Sequence, residues 1–199
     1  MAKVKWKGGA LTAPVPPAMI TCGSEKEGNS NIITIAWTGI VNTIPPKTYI
    51  SVRPSRHSYS IIKESGEFAI NLTSEKLVKA ADYCGIYTGA KVNKFEKCEL
   101  TKEEATEISC PIIAESPLSL ECRVTDIIEL GSHHMFLADI VAVDVDERLI
   151  NKDGKLCLEK ANLCAFAHGE YFSLGEKLGY FGFSTKKKKK RPPTAKSKK

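Results

Sequence analysis

Residues 119–145 constrain the fold of this chain more than any other stretch. Along 119–130 the positions Leu120, Cys122, Val124, Ile128 and Leu130 are apolar, with Asp126 breaking the series, while Ser119, Glu121, Arg123, Thr125 and Glu129 alternate with them. A period of two marks a β-strand with one buried and one wet face. Gly131-Ser132 is a turn signal, and 133–145 follows, apolar at nearly every position. A strand covered on both faces reads this way. Together the two segments predict an antiparallel hairpin.

Further strands are expected at 19–22, 32–38, 48–52 and 67–71, with SEKEGNSN as the first turn. Short helices fit 58–64, stopped by Gly66 as a C-terminal cap, and 74–83, where Ser74 suits the N-cap. A third short helix fits 91–96. Many short strands with few helices predict a mainly β fold with peripheral α, a closed barrel carrying helices on its outside. No internal repeat is visible. At 199 residues the chain is long enough for one domain with a sizeable core. Its boundary is expected at Ser184-Thr185, giving a domain over 1–184 and a disordered lysine-rich tail over 185–199.

The formal charge of +6 comes from that tail. KKKKKRPPTAKSKK, residues 186–199, holds nine Lys/Arg and no acid, so the remainder carries about −3. Such a tail could attract nucleic acid or anionic lipid. Without interleaved aromatics, nucleic acid is not expected as a partner. Apolar runs fall short of the roughly 20 residues that cross a bilayer, and no apolar stretch backs the basic MAKVKWKGG, so a cytoplasmic protein without membrane association is expected. Seven cysteines, Cys22, Cys84, Cys98, Cys110, Cys122, Cys157 and Cys164, form no CxxC pair. They show no zinc-ligand clustering and are assigned no catalytic role. Cys22 and Cys122 sit in apolar runs, where a thiol acts as a small hydrophobe.

The chemistry concentrates between residues 29 and 72. Two apolar β-type runs flank Pro45-Pro46, and the second ends in RPSRHS before SYSIIKESG. Arg53 and Arg56 can supply bidentate charge-assisted hydrogen bonds to a phosphate. Ser55 and Ser58 add hydroxyls, and the helix that follows points unpaired N–H groups at the same anion. An isolated R-x-x-R reads equally as a solvated turn. Trp37, by residue type, reads as a core aromatic.

The order of the motifs bears on both alternatives. Asn31, AWTG at 36–39, Pro45-Pro46, SVRPSRHS at 51–58, GEFAINL at 66–72, Thr88-Gly89, Asn93-Lys94-Phe95 and GSHHMFLADIVAV at 131–143 together resemble the flavin reductase-like family, which includes flavoredoxin. The resemblance covers about residues 10–183. It implies an FMN-binding split β-barrel, a homodimer with flavin near the subunit interface. Two positions of the family's S-G…D-K-F segment are altered here, and Ser132 replaces the acid of its G-D-H-x-x-F motif.

By this resemblance Ala36, Trp37, Thr38 and Gly39 lie along the flavin ring, Trp37 as a wall and Thr38 as a hydrogen-bonding group. Asn31 bonds the ring or closes its turn, and Asn71 belongs to the same cofactor set. Arg53, Ser55, Arg56 and Ser58 hold the phosphate, with Lys94 near the ring's pyrimidine or the phosphate. His133 contacts the ring or an incoming nicotinamide, the one possible catalytic side chain, while His134 is structural. Phe166 and His168, in AFAHGEYF at 165–172, help cover the flavin. No metal is expected. The implied activity is an NAD(P)H-dependent flavin oxidoreductase passing electrons through FMN to an acceptor. The alternative is a flavoredoxin-type carrier with tightly bound FMN, no direct NAD(P)H activity and a redox protein as partner. The remote alternative is nucleic-acid or anionic-membrane binding through the tail.

Overall fold

The computed structural model describes residues 1–185, so the lysine-rich tail lies outside the described residues. A seven-stranded antiparallel sheet forms the body. Its strands are β1 (Ala18–Cys22), β2 (Asn31–Ile35), β3 (Thr38–Thr43), β4 (Pro46–Val52), β5 (Glu67–Asn71), β8 (Leu118–Glu129) and β9 (His134–Val145), in the order β2-β1-β5-β8-β9-β4-β3. Two short pairs are separate from it, β6 (Lys102–Glu103) with β7 (Ile112–Ile113) between β5 and β8, and β10 (Cys164–Ala167) with β11 (Glu170–Ser173) after β9. The edge strands β2 and β3 are consecutive, joined by Ala36-Trp37, so the sheet's two ends return to one another. This is a split barrel, mainly β, with helices α1 (His57–Ser65), α2 (Val78–Ile86) and α3 (Lys94–Lys97) on its periphery.

The alternation of side chains builds the two larger of three buried cores. Inward residues Ile20, Cys22, Ile33, Ile50, Val52, Phe68, Cys122 and Phe136 fill the barrel, and α1 contributes Ile61 and Ile62. Outward residues of the same strands, Met19 and Ile32, pack beneath Ala81, Cys84 and Phe95 of α2 and α3. Truncating a buried aromatic such as Phe68 or Phe136 to Ala would cost about 3–5 kcal/mol. Gly66 caps α1 in the left-handed conformation (φ 69°), its N–H donating to Ile62 O, as expected.

Several local expectations are corrected. The strand expected over 32–38 is broken at Ala36-Trp37, and Thr38 opens a separate strand whose turn at Ile44-Pro45 leads into β4. The helix expected from Ser74 begins with a 3₁₀ turn, Glu75–Leu77, before α2, and the Ser74 side chain makes no cap bond. The helix expected at 91–96 shortens to α3, whose N-cap Asn93 accepts from Glu96 N at 3.4 Å.

In β8 the regular alternation fails at several positions, Ser119 among them because its hydroxyl turns inward to Asn71 Oδ1. Glu121, expected on the wet face, is 0% exposed. Segment 106–108 covers that face and turns its donors onto the carboxylate: Thr106 N at 2.7 Å and Oγ1 at 2.8 Å, Glu107 N at 2.7 Å, Ile108 N at 3.0 Å. Burial opposes its ionisation, yet these donors hold the Glu121 carboxyl below the usual range. Across the hairpin, burial first and Glu121 next push Asp144 up to about 6. Further along, the register irregularity between Val124 and Asp126 shifts the inward position from the even series to Ile127 and leaves Ile128 exposed. Asp126, the exception in the sequence pattern, sits at this bulge. Strand β9 also departs from expectation: Phe136 and Ala138 are buried, but most of its other residues stay half-exposed rather than covered on both faces.

Candidate functional site

The break between β2 and β3 turns Trp37 out of the sheet. At 44% exposure it is not a core aromatic. Its ring lies against that of His133, at the start of the second hairpin strand, with centroids 4.3 Å apart and planes tilted 47°. Arg53 and Arg56 join them, with Ile33, Ala36 and Ser51, around a cleft of about 130 Å³. Residues 53–56 form a tight turn closed by Arg56 N donating to Arg53 O at 2.9 Å. Arg56 is the N-cap of α1, no acidic residue occupies the helix's first turn, and the first N–H groups stand next to the arginines. Neither arginine forms a salt bridge among the described residues. Two unneutralised guanidiniums at an uncapped helix N-terminus are the chemistry of an anion site.

A second small cleft, about 70 Å³, continues from this one, because Ile33 and Arg56 line both. Asn31, Ser55, Ser58, Thr88, Gly89 and Lys94 form its walls. Asn31 Nδ2 donates to Ser58 Oγ at 2.8 Å, and the same hydroxyl is hydrogen-bonded to the Cys22 thiol, so Ser58 is held firmly in place. Gly89 has to be glycine: a Cβ there would lie 2.2 Å from Asn31 Oδ1. Lys94 is nearly buried and donates to Ile32 O at 2.6 Å and Cys84 O at 2.8 Å, so one of its three N–H groups remains. Burial lowers its pKa, with Arg56 adding in the same direction.

On the other side of Trp37 and Ala36 a third hollow of about 390 Å³ is walled by Phe166, His168 and residues Ala10 to Ala13 with Val15. Val15 and Phe166 exchange both backbone hydrogen bonds, at 3.0 and 2.8 Å, and so fix the N-terminal segment against β10. The three hollows adjoin along one groove from Lys94 to Phe166, sharing Ile33 and Arg56 at one junction and Ala36 and Trp37 at the other. His133 titrates below its usual range, through burial first and the charges of Arg53 and Arg56 next. Its Nδ1 is paired with Ser132 Oγ at 2.9 Å, so Nε2 is the ring nitrogen left for a ligand. A larger hollow of about 730 Å³ lies on the outer face of α2. There Lys76, Lys79 and Lys97 are interleaved with Asp82, Glu99 and Glu115, which leaves no preference for an anion.

The groove thus gathers Asn31, Ala36, Trp37, Arg53, Ser55, Arg56, Ser58, Lys94, His133 and Phe166. Three expected residues stand apart from it. Thr38 Oγ1 donates to Tyr49 O at 2.6 Å, within the β3–β4 ladder, so its proton serves the sheet. Gly39 abuts the Tyr49 ring on the same ladder. Asn71 is corrected more firmly: Nδ2 donates to Met19 O and Thr21 Oγ1, while Oδ1 accepts from Ile113 N and Ser119 Oγ. Three of its four bonds tie β5 to β1 and β8 and the fourth holds β7, so its side chain has no capacity left for a ligand. His134 pairs with the Tyr59 hydroxyl at 2.8 Å and ties β9 to α1. Sequence reasoning missed residues 10–15 and Thr88's neighbours Gly85 and Tyr87, which line the groove through long-range packing.

A family model for the flavin reductase like domain matches residues 11–175, most of the chain and all three parts of the groove. The chain belongs to the flavin reductase-like family. The flavoredoxin of Desulfovibrio vulgaris (Miyazaki F) superposes on this family member with a TM-score of 0.86 and 30% identity, over 93% of this chain and 100% of that one. Flavoredoxin from Methanosarcina acetivorans gives a TM-score of 0.82 and 27% identity, over 94% of this chain and 100% of that one. An uncharacterized protein of Archaeoglobus fulgidus is 34% identical over 142 residues, 71% of this chain and 77% of its own length. A relative from Aeropyrum pernix is 30% identical over 131 residues, 65% of this chain, which spans about half (49%) of that protein. The flavin reductase-like fold is therefore shown from sequence and structure together. No helix among the described residues is long and apolar enough to cross a membrane.

Proposed function

We propose that this protein binds FMN in the groove and transfers electrons from NAD(P)H through it to an acceptor. The observation that carries this reading is the union, in one groove, of an unpaired arginine pair at a helix N-terminus with an exposed tryptophan. Arg53, Arg56, Ser55, Ser58 and the first N–H groups of α1 would hold the phosphate. Ala36, Trp37 and Phe166 would flank the ring, and Asn31 and Lys94 would supply donors between the two. The residues fit the cofactor because Arg53 and Arg56 line one cleft at a helix start and neither is paired with a carboxylate among the described residues. A bound flavin supplies the redox chemistry itself, and the protein supplies position and electrostatics. His133, held neutral at pH 7 by burial and the nearby arginines, can accept or donate a hydrogen bond at Nε2 without adding a third cation.

The exposed apolar residues Ile40, Val41 and Val143 on β3 and β9 support a homodimer, since a monomer leaves these large apolar side chains wet. A second reading, an electron carrier that keeps FMN and exchanges electrons with a protein, is supported by the 30% identity to a flavoredoxin across nearly the whole chain. Purified protein should be yellow, or become so on adding FMN, with bound flavin quenching Trp37 fluorescence. Protein that stays colourless and does not quench removes both readings. Rapid bleaching by NADH or NADPH in stopped flow supports the reductase, whereas bleaching only by a reduced protein partner supports the carrier.

A further inference from the structure

We propose that Cys84 and Cys98 form a reversible intrachain disulfide when the protein meets a hydroperoxide. The two thiols are scattered in sequence, yet α2 and the end of α3 bring their sulfurs to 3.9 Å. Of the seven free cysteines Cys98 is the one that is not buried, so it is the sulfur a small oxidant reaches first. Cys84 lies directly behind it, buried against Ala81 and Phe95. Burial raises both thiols, Cys84 to about 12, and their shared hydrogen bond separates them: Cys84 donating to Cys98 partly offsets burial at Cys98 and adds to it at Cys84. The Lys94 ammonium, anchored on Cys84 O at 2.8 Å, stabilises negative charge on both. These effects give the pair distinct roles: Cys98 attacks and Cys84 resolves.

The chemistry balances. The Cys98 sulfur attacks one oxygen of hydrogen peroxide, the O–O bond breaks, and the departing hydroxide takes the thiol proton as water, leaving Cys98 as a sulfenic acid. The Cys84 sulfur then attacks Cys98 Sγ, the S–O bond breaks, and a second water leaves with the Cys84 proton. Two thiols are oxidised, one peroxide is reduced, and a dithiol reductant reverses the step. The bond would fasten together the ends of segment 85–97, which carries Thr88, Gly89 and Lys94 to the groove.

The test is a thiol count on the full-length chain, unfolded after hydrogen peroxide treatment, with peptide mapping under non-reducing conditions. We expect seven thiols to fall to five, a linked peptide pair containing Cys84 and Cys98, and recovery of seven with dithiothreitol. Cys98→Ser should keep all of its remaining thiols, and Cys84→Ser should leave a Cys98 sulfenic acid that dimedone traps. Seven thiols retained, a bond between any other pair, or irreversible oxidation of Cys98 with Cys84 still free would overturn the proposal. None of these readouts requires a bound cofactor. A protein that forms the bond but never binds FMN overturns the proposed function alone.

Discussion

The two ends of the groove are built on opposite plans. At the Lys94 end the polar groups are buried and mostly engaged with each other: Asn31 with Ser58, and Lys94 with two backbone carbonyls. At the Trp37 end the side chains are open, an exposed indole resting on an imidazole and facing Phe166. Buried and prearranged donors lose little entropy when a ligand arrives, so they favour affinity. An open aromatic wall adds less binding energy but leaves room for a second molecule, as an electron-transfer site requires. Arg56 belongs to both parts and is the hinge of the comparison.

The largest effect should come from that hinge. Arg56→Ala, and Arg53→Ala beside it, should each weaken FMN by roughly ten- to hundredfold, since a charge-assisted hydrogen bond is worth about 1.5–3 kcal/mol. Fluorescence titration would show it, and unchanged affinity in both variants would mean that the phosphate binds elsewhere. Next comes Gly89→Ala, which drives a methyl group into Asn31 at the buried end. Overpacking of this kind costs about 1–3 kcal/mol, visible as a lower denaturation midpoint together with weaker FMN. Loss of stability without loss of affinity would show that the Asn31–Ser58 pair is structural only.

At the open end the effect should be smaller. Trp37→Ala should weaken FMN roughly three- to tenfold, the scale of an aromatic pair worth about 0.5–1.5 kcal/mol, and should abolish most flavin-dependent quenching. If Trp37→Ala cost more affinity than Arg56→Ala, the contrast between the two ends would be reversed. The smallest effect concerns protons. His133 titrates below 6.5 because burial and two arginines disfavour its cation. An anion bound between those arginines offsets their charge, so its pKa should rise on FMN binding. Binding then takes up protons, and affinity should strengthen as pH falls through that window. NMR titration of the imidazole with and without FMN would check this, with His133→Gln correcting for the phosphate's own ionisation.

Legibility in the sequence followed the range of the interaction. The hairpin, the Gly66 cap and the basic turn ahead of α1 are set by residues within a few positions of one another, and each appears where its pattern placed it. Expectations that depended on distant partners fared unevenly. Asn71 fell in a matching motif, yet four partners from β1, β7 and β8 spend its amide on the sheet. Glu121 obeyed the period of a wet position until segment 106–108 folded over it. Neither the partners of Asn71 nor the segment over Glu121 leaves a mark in the local alternation.

By itself the sequence determined the strand alternation, the turn chemistry and the concentration of positive charge before a helix, because dihedral preference and side-chain type act locally. Only the tertiary structure decided that Trp37 faces outward against His133, that residues 10–15 wall the groove with Phe166, and that Cys84 meets Cys98. Those contacts join residues far apart in the chain. They arise because closing the barrel buries the greatest apolar area in one particular arrangement, and the groove is what that closure leaves open.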